Sequence, residues 1–441
     1  MSYLTTKGEQ QIWPPFRSTQ MQVIAGVVLI VLLLYCILYA ASDLVFDVSR
    51  DIDRSVDVNG GAFSQIFFSS LFISLVSMLL LTGNGRVLGQ TPRFLIPTLV
   101  WCWFSLSWAI DPGVAFRRIT YTTMVILSVT YIVELLPYRR VIEILFGVFC
   151  IVLLADWIAV AVFPPATSLE ADLVSGVDGG WRGIHLEKNE AGAVSAMCLV
   201  LFVHEALRAR SMKLGLIISI ACGIFLYQTH SQTSGGFVLV SLLIGAVASR
   251  AYSKPVIRRV VSFTVLASVA LLIAESDEIS RYAEILLDDP ASFTGRTQIW
   301  AIVMQFARDH PLLGAGYGSF WGLGDNSPAY YYGSGWMTTV YEAHDGYLDL
   351  LVGIGGLGLA IAVFDVVVRP LYKAFSSPLP PEASRSLLCA MLVFVCLHNL
   401  LESSFLNRSN PAWVIALVFY SLLFKATAQA SSVAKGRTAP I

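Results

Sequence analysis

The sequence predicts an all-α, polytopic membrane protein, and three observations predict it. Hydrophobic residues make up 56% of the chain and charged residues only 13%, where a soluble domain carries roughly a quarter charged residues. The apolar residues come in long blocks, the first of them running from Met21 to Ala41 without a charge. A helix needs about 20 apolar residues to cross a bilayer. Lysine and arginine are also unevenly distributed between the two sets of connecting loops, as a membrane protein of fixed orientation requires.

Twelve apolar stretches are candidate spans, over about 21–41, 63–82, 94–110, 118–136, 141–163, 190–207, 213–229, 234–249, 258–275, 347–368, 386–401 and 411–427. The first is too long for a signal-peptide core and lacks a small-x-small cleavage site, so it reads as a retained helix. With residues 1–20 placed in the cytoplasm, 19 of the 29 Lys and Arg fall on the cytoplasmic side. The outer loops are longer in total, so the bias is real. Both ends then lie inside, with 428–441 as a polar, disordered tail. The bundle spans 21–427, and its long outer loops are 42–62, 164–189 and 276–346.

The third outer loop is too long to be structureless. E-I-S-R-Y-A-E-I-L-L-D-D and T-Q-I-W-A-I-V-M-Q-F-A-R-D-H within it both show helical spacing. Asp309-His310-Pro311 stops the second, because a residue before proline avoids the α region.

Composition also narrows the function. A net charge of −1 offers no basic footprint for a nucleic acid. The seven cysteines all sit in apolar blocks without metal-ligand spacing, so they read as buried packing rather than disulfides or a metal site.

Chemistry-bearing residues collect in the outer loops. G-W-R-G-I-H-L-E-K-N-E-A-G presents Arg182, with His185, Lys188 and Asn189 as candidate substrate contacts, at the mouth of a span, where Trp, Arg and Lys also serve as plain interfacial anchors. In T-G-R-T-Q-I-W-A, Arg296 opens a helix that Thr294 is placed to cap. A helix N-terminus favours anions, and an arginine beside it strengthens that preference. H-P-L-L-G-A-G-Y-G-S-F is glycine-rich, but it lacks the strand and βαβ context of a dinucleotide fingerprint. In Y-E-A-H-D-G-Y-L-D-L, Glu342, His344, Asp345 and Asp349 gather where the chain enters an apolar run. His344 is the natural proton acceptor there, with Asp345 and Tyr347 as candidate substrate contacts. L-H-N-L-L-E-S-S-F places Glu402 at the outer end of a helix, for a substrate or as a partner of Arg408. Asp51 and Asp53 form a D-x-D within an acidic run that reads as solvated surface, and His230 sits in a Ser/Thr-rich turn. Tyr330, Tyr331, Tyr332, Trp336 and Tyr341 supply either sugar-stacking faces or interfacial packing.

R-G-I-H-L-E-K-N-E-A-G, G-R-T-Q-I-W, P-L-L-G-A-G-Y-G-S-F and A-H-D-G-Y-L-D-L-L-V-G-I-G-G-L-G stand in an order and spacing that resembles the bacterial O-antigen ligase/polymerase family. S-L-S-W-A-I-D-P and N-L-L-E-S-S-F extend the resemblance over roughly 100–420. It departs at Asp345, where the family has Asn, and D-G-Y-L-D is closer to the exopolysaccharide polymerases. The resemblance implies a GT-C-like membrane glycosyltransferase without a metal or other cofactor. Its donor would be an undecaprenyl-pyrophosphate-linked oligosaccharide, handled at the periplasmic face of the inner membrane. Arg182 and Arg296 would match the family's essential arginines and His344 its essential histidine. A repeat-unit polymerase is expected ahead of a ligase that uses lipid A–core, with a chain-length regulator and export proteins as partners. A transporter or flippase is the rival from another class. Such proteins show pseudo-repeats and midplane charges, whereas here no half resembles the other and the charges cluster in one late loop.

Overall fold

The structure is a computed structural model that describes residues 19–38, 62–89, 93–163, 179–208, 212–252, 296–333 and 340–434. The described residues are helical and contain no strand. Seven helices among them are long and apolar enough to cross a membrane. In chain order the helices are α1 (Thr19–Leu38), α2 (Ala62–Leu81), α3 (Ile96–Phe104), α4 (Pro112–Leu135) and α5 (Tyr138–Val162). They continue with α6 (Lys188–Arg208), α7 (Met212–Gln228), α8 (Gln232–Tyr252), α9 (Arg296–Asp309) and the single turn α10 (Pro328–Tyr332). The last four are α11 (Gly346–Val363), α12 (Arg369–Ser376), α13 (Arg385–His398) and α14 (Pro411–Ala434). A π-turn, Phe364–Val368, joins α11 to α12.

Against twelve spans expected over the whole chain, the described residues hold seven long apolar helices and three shorter ones, 96–107, 213–228 and 385–398. Side chains that take up backbone groups explain two of the shorter ones. Ser105 Oγ donates to Cys102 O where α3 tightens into a 3-10 turn. Asn399 Nδ2 donates to Val395 O and closes α13 at His398. The expected span 258–275, with Asp51, Asp53, Thr294 and Trp336, lies outside the described residues. The last helix runs on to Ala434 rather than ending near 427.

α14 is the central post. Its apolar window is 89% buried inside the protein, against 22% for α2, so α2 is an outer helix and α14 has little surface left for lipid. Trp413 and Tyr420 on α14 are fully buried. At the end of the bundle away from the site, Lys425 Nζ donates to Val133 O (2.8 Å), Glu134 O (3.0 Å) and Leu136 O (2.7 Å). It thereby satisfies carbonyls that the end of α4 leaves open. All seven cysteines are free, and all but Cys150 are buried.

α11 is interrupted at Gly355, whose φ of 71° lies in the left-handed region. The glycine-rich segment from Pro311 docks against this break. Ala315 N donates to Val352 O (2.8 Å), Gly356 N to Pro311 O (2.9 Å) and Leu357 N to Leu312 O (3.3 Å). Broken backbone inside a membrane helix persists only where protein satisfies its polar groups. Gly314 and Gly316 thus serve close approach to backbone, and the segment binds a helix of its own chain.

Candidate active site

Four segments converge at the N-terminal end of α11. The first is the start of α9, which opens with Arg296. The second is 340–345, and the third is the turn 399–410 between α13 and α14. The fourth is the loop 179–187 before α6.

Segment 340–345 is fixed from three sides. Trp300 Nε1, on α9, donates to Ala343 O (2.9 Å), and Ala343 N donates to Asp349 Oδ1 (2.9 Å). Gly346 N donates to Asn399 O (2.8 Å) and Glu402 O (3.1 Å). A Cβ on Gly346 would meet Asn399 Oδ1 inside the 3.0 Å that real Cβ atoms keep, so only glycine lets the turn approach this closely. Asp345 caps α11, its Oδ1 accepting from Tyr347 N (2.9 Å) and Leu348 N (3.0 Å). His344, just before it, has φ 50°, a conformation that costs a non-glycine residue about 1–2 kcal/mol. Strain of this kind persists where surrounding contacts enforce it, often at functional sites.

Asn399 organises the turn after α13. Its Oδ1 accepts from Ser404 N (2.9 Å) and Phe405 N (3.0 Å), and its Nδ2 donates to Ser404 Oγ (2.8 Å). The turn so formed carries Glu402.

The result is a line of charges. Arg296 Nη2 lies 2.6 Å from Glu402 Oε1, and Arg296 Nη1 donates to Leu401 O. His344 Nδ1 lies 3.5 Å from Glu402 Oε2 and 3.2 Å from Glu342 Oε1. The Arg296 and Glu402 side chains are 11% and 6% exposed, whereas His344 and Glu342 are 25% and 30% exposed. The buried pair is thus the floor, and His344 with Glu342 faces outward.

Burial alone would lower the His344 imidazole; the close Glu402 carboxylate and the charge of Glu342 outweigh burial and raise it to about 9. Burial would raise Glu402, yet His344 and Arg296 together hold it below the usual carboxylate range. Burial pushes the Glu342 carboxyl upward, and Glu187, Asp349 and Glu402 add to that push while His344 opposes it.

Glu342, His344 and Glu402 each offer an atom within 4.8 Å of the others, close enough for one cation. Arg296 already supplies a positive charge to Glu402 at 2.6 Å, and a guanidinium so close would repel a metal ion. The set suits a shared proton better.

The loop 179–187 is held by buried groups. Ile184 N donates to Asp156 Oδ1 (3.0 Å), and Trp181 N to Gln228 O (2.8 Å). His185 is 0% exposed and lies between Asp156 (3.5 Å) and Glu190 (3.5 Å). It therefore braces the loop from beneath and lines no open surface, which corrects its expected place against a substrate. Burial opposes its charge, but Asp156 and Glu190 raise it to about 10. Arg182 on this loop is partly exposed and donates to Leu186 O (3.1 Å). Glu187 brings the loop into the field of His344, Glu402, Glu190 and Arg296.

The remaining expected contacts are placed as follows. Lys188 and Asn189 form the partly exposed first turn of α6. Tyr347 is packed, its hydroxyl donating to Cys396 O (2.9 Å) and its ring meeting Phe405 edge-on. Tyr332 bonds Asp309 Oδ2 (2.8 Å), while Tyr330 and Tyr331 are exposed. Arg408 is buried, and Glu402 turns to Arg296 instead.

Residues 214–363 match the family model described as O-antigen ligase. This stretch of the chain is similar to the O-antigen ligase family. The matched stretch contains Arg296, Glu342 and His344, whereas Arg182 and Glu402 lie on either side of it. The family points to lipid-linked glycans as substrates and to a multi-pass protein in a bilayer. A search of curated proteins finds no match.

Asp349 is a site residue that motif reading left without a role. Its Oδ1 accepts from Trp321 Nε1 (2.7 Å) as well as Ala343 N, and its Oδ2 accepts from Ser403 Oγ. One carboxylate thereby joins the glycine-rich segment, the His344 segment and the Glu402 turn. The signal lay in its spacing, one helical turn beyond the cap Asp345 and on the same face. Asp349→Ala would leave these three donors without an acceptor, at about 1–3 kcal/mol for each that stays buried. A large drop in detergent melting temperature is expected, and an unchanged melt would show that Asp349 does not tie the segments together.

Proposed function

We propose that this chain is an inner-membrane glycosyltransferase of GT-C type that polymerises undecaprenyl-pyrophosphate-linked repeat units at the periplasmic face. The observation that carries the reading is the line Arg296–Glu402–His344–Glu342 at the end of an apolar bundle. The donor's pyrophosphate is anionic and sits at a membrane surface, and its sugars lie in water. A site that joins arginines to a histidine set between carboxylates at a helix end has the matching chemistry.

In this reading the acceptor hydroxyl oxygen attacks the donor's anomeric carbon. The new C–O bond forms as the bond from that carbon to the phosphate oxygen breaks. The electron pair leaves with the pyrophosphate, and the hydroxyl proton passes to the protein. Direct displacement inverts the anomeric centre. Arg182 and Arg296 stabilise the charge gathering on the leaving group, for which arginine's planar, permanently charged fork is suited. Arg296 does so with Glu402 attached, which fixes its plane. His344 lies against the acceptor, Asp345 fixes it at the helix end, and the sugars run over Lys188, Asn189 and the exposed Tyr330 and Tyr331. No metal is needed for these steps. A chain-length regulator and export proteins would act on the product.

The test is direct. Purified protein is given lipid-linked repeat units with and without EDTA, and products are resolved on a gel. A ladder that survives EDTA is expected. A product that appears only when lipid A–core is added would make the protein a ligase, as the matched family's description allows. A ladder lost with EDTA would sink the metal-free mechanism.

A further inference from the structure

His344 is commonly the first residue to which a proton-accepting role would be given at such a site. Its surroundings speak against that. Nδ1 faces Glu342 Oε1 at 3.2 Å and Glu402 Oε2 at 3.5 Å. An imidazole between two carboxylates favours its protonated form, and a protonated imidazole has no lone pair with which to take another proton. Glu402 is committed too, because its Oε1 is held by Arg296 at 2.6 Å and its side chain is 6% exposed. Glu342 differs from both. Its side chain is the most open of the three at 30% exposure, and among the described residues its ion-pair partner is His344.

We infer that Glu342 is the general base that takes the acceptor hydroxyl's proton, with His344 remaining an imidazolium that orients Glu342 and faces the developing negative charge. This rests on the glycosyl-transfer reading above. The acceptor O–H bond breaks and its proton forms a new O–H bond on the Glu342 carboxylate. The hydroxyl's electron pair makes the glycosidic bond, and the pyrophosphate leaves with the pair from the broken C–O bond. Glu342 later returns the proton to water.

Geometry and electrostatics agree on the base. The groups facing Glu342 are His344 on its own segment, Glu187 before α6, Asp349 on α11 and Glu402 on the turn after α13. Three of these are acidic, so they make the Glu342 carboxylate more basic than a free one, while the single cation keeps it ionisable near neutrality. General bases work best with a pKa near the operating pH. His344 lies at about 9 and stays charged while Glu342 ionises.

The test compares rates of product formation by the full chain in vesicles loaded with lipid-linked repeat units, across pH. Wild type should speed up as pH rises through the neutral range, because only the ionised carboxylate accepts a proton. Glu342→Gln should lose about 10²–10⁴ of the rate at every pH, the usual value of a general base. Glu342→Asp should recover part of it. Glu342→Gly should be partly rescued by added formate or acetate, which a merely structural residue would not allow. His344→Gln should keep the pH-dependent rise and move it to higher pH, since removing the cation makes Glu342 harder to ionise. The inference is overturned if Glu342→Gln keeps more than a tenth of the rate with its rise moved to lower pH. That pattern marks His344 as the base, released from one of the carboxylates that raise it. Loss of the pH-dependent rise in His344→Gln would overturn it equally. A wild type that forms no product with any acceptor overturns the transfer reading and this inference with it.

Discussion

Arg296→Ala is expected to abolish glycosyl transfer and to weaken the fold in the same protein. The guanidinium is the near partner of Glu402, at 2.6 Å, and both side chains are largely buried. Removing it leaves a carboxylate that is 6% exposed with His344, 3.5 Å away, as its remaining cation among the described residues. Breaking one side of a buried ion pair costs about 3–5 kcal/mol, because the surviving charge is stranded away from water. The Leu401 carbonyl loses its donor as well. Transfer should fall by at least about 10²-fold from lost stabilisation of the leaving group alone.

Two further variants separate the contributions. Arg296→Lys keeps a charge but not the fork that reaches Leu401 O and Glu402 together, so it should melt nearer wild type and still transfer slowly. Arg296→Ala combined with Glu402→Gln removes the stranded charge. It should regain melting temperature without regaining product. If the double variant also regained transfer, the role of Arg296 would be confined to neutralising Glu402, and the leaving-group role would be lost.

The sequence carried a good part of this site, and the reasons differ from residue to residue. Helical spacing and a proline stop delimited α9 at Asp309, because periodicity and X-Pro sterics are local. Arg296 and His344 stood out because an arginine at a helix start and a histidine beside an apolar run are unusual neighbours. Asp345 was visible as a residue at a helix start, and its role as a cap follows from where α11 begins. The pairing of Arg296 with Glu402 was not legible. It spans 106 positions, and nothing local tells Glu402 to prefer Arg296 over Arg408, which is much nearer in sequence. His185 was misplaced for a similar reason. Its partner Asp156 lies on another helix, and a histidine in a loop reads as exposed until the burying helix is known. The expected bounds 94–110 and 386–401 overshoot where side chains close helices early, since hydropathy does not register a serine or asparagine that takes up a backbone group.

Gly355→Ala should be among the most damaging glycine-to-alanine changes in the described residues. A Cβ there would lie inside the 3.0 Å limit from both Leu312 O and backbone carbons of Leu312 and Leu313. The φ of 71° adds about 1–2 kcal/mol for any side chain. Neither problem is relieved by rotating a side chain, since the obstructing atoms are backbone. The strained dihedral and the clash together should destabilise by about 3 kcal/mol or more, a size that single mutations reach through strain of this kind. The consequence reaches the site by a traceable route. If the glycine-rich segment lifts off α11, Trp321 moves with it and Asp349 loses the indole donor at 2.7 Å. Asp349 also holds Ala343 N, one residue before His344, so the imidazole loses its fixed distance from Glu342 and Glu402. Gly353→Ala provides the control, because a Cβ at that position meets nothing within 4 Å and its φ is not in the left-handed region. Thiol labelling with a small maleimide offers a readout independent of activity. Cys102 is buried on α3, the helix whose Trp101 donates to Ile354 O at 3.0 Å, and it should become reactive in Gly355→Ala while staying protected in Gly353→Ala. Equal protection in both variants, with an unchanged melt, would mean that the break in α11 is not what holds the glycine-rich segment. The site would then have to be supported from α9 and the turn after α13 alone.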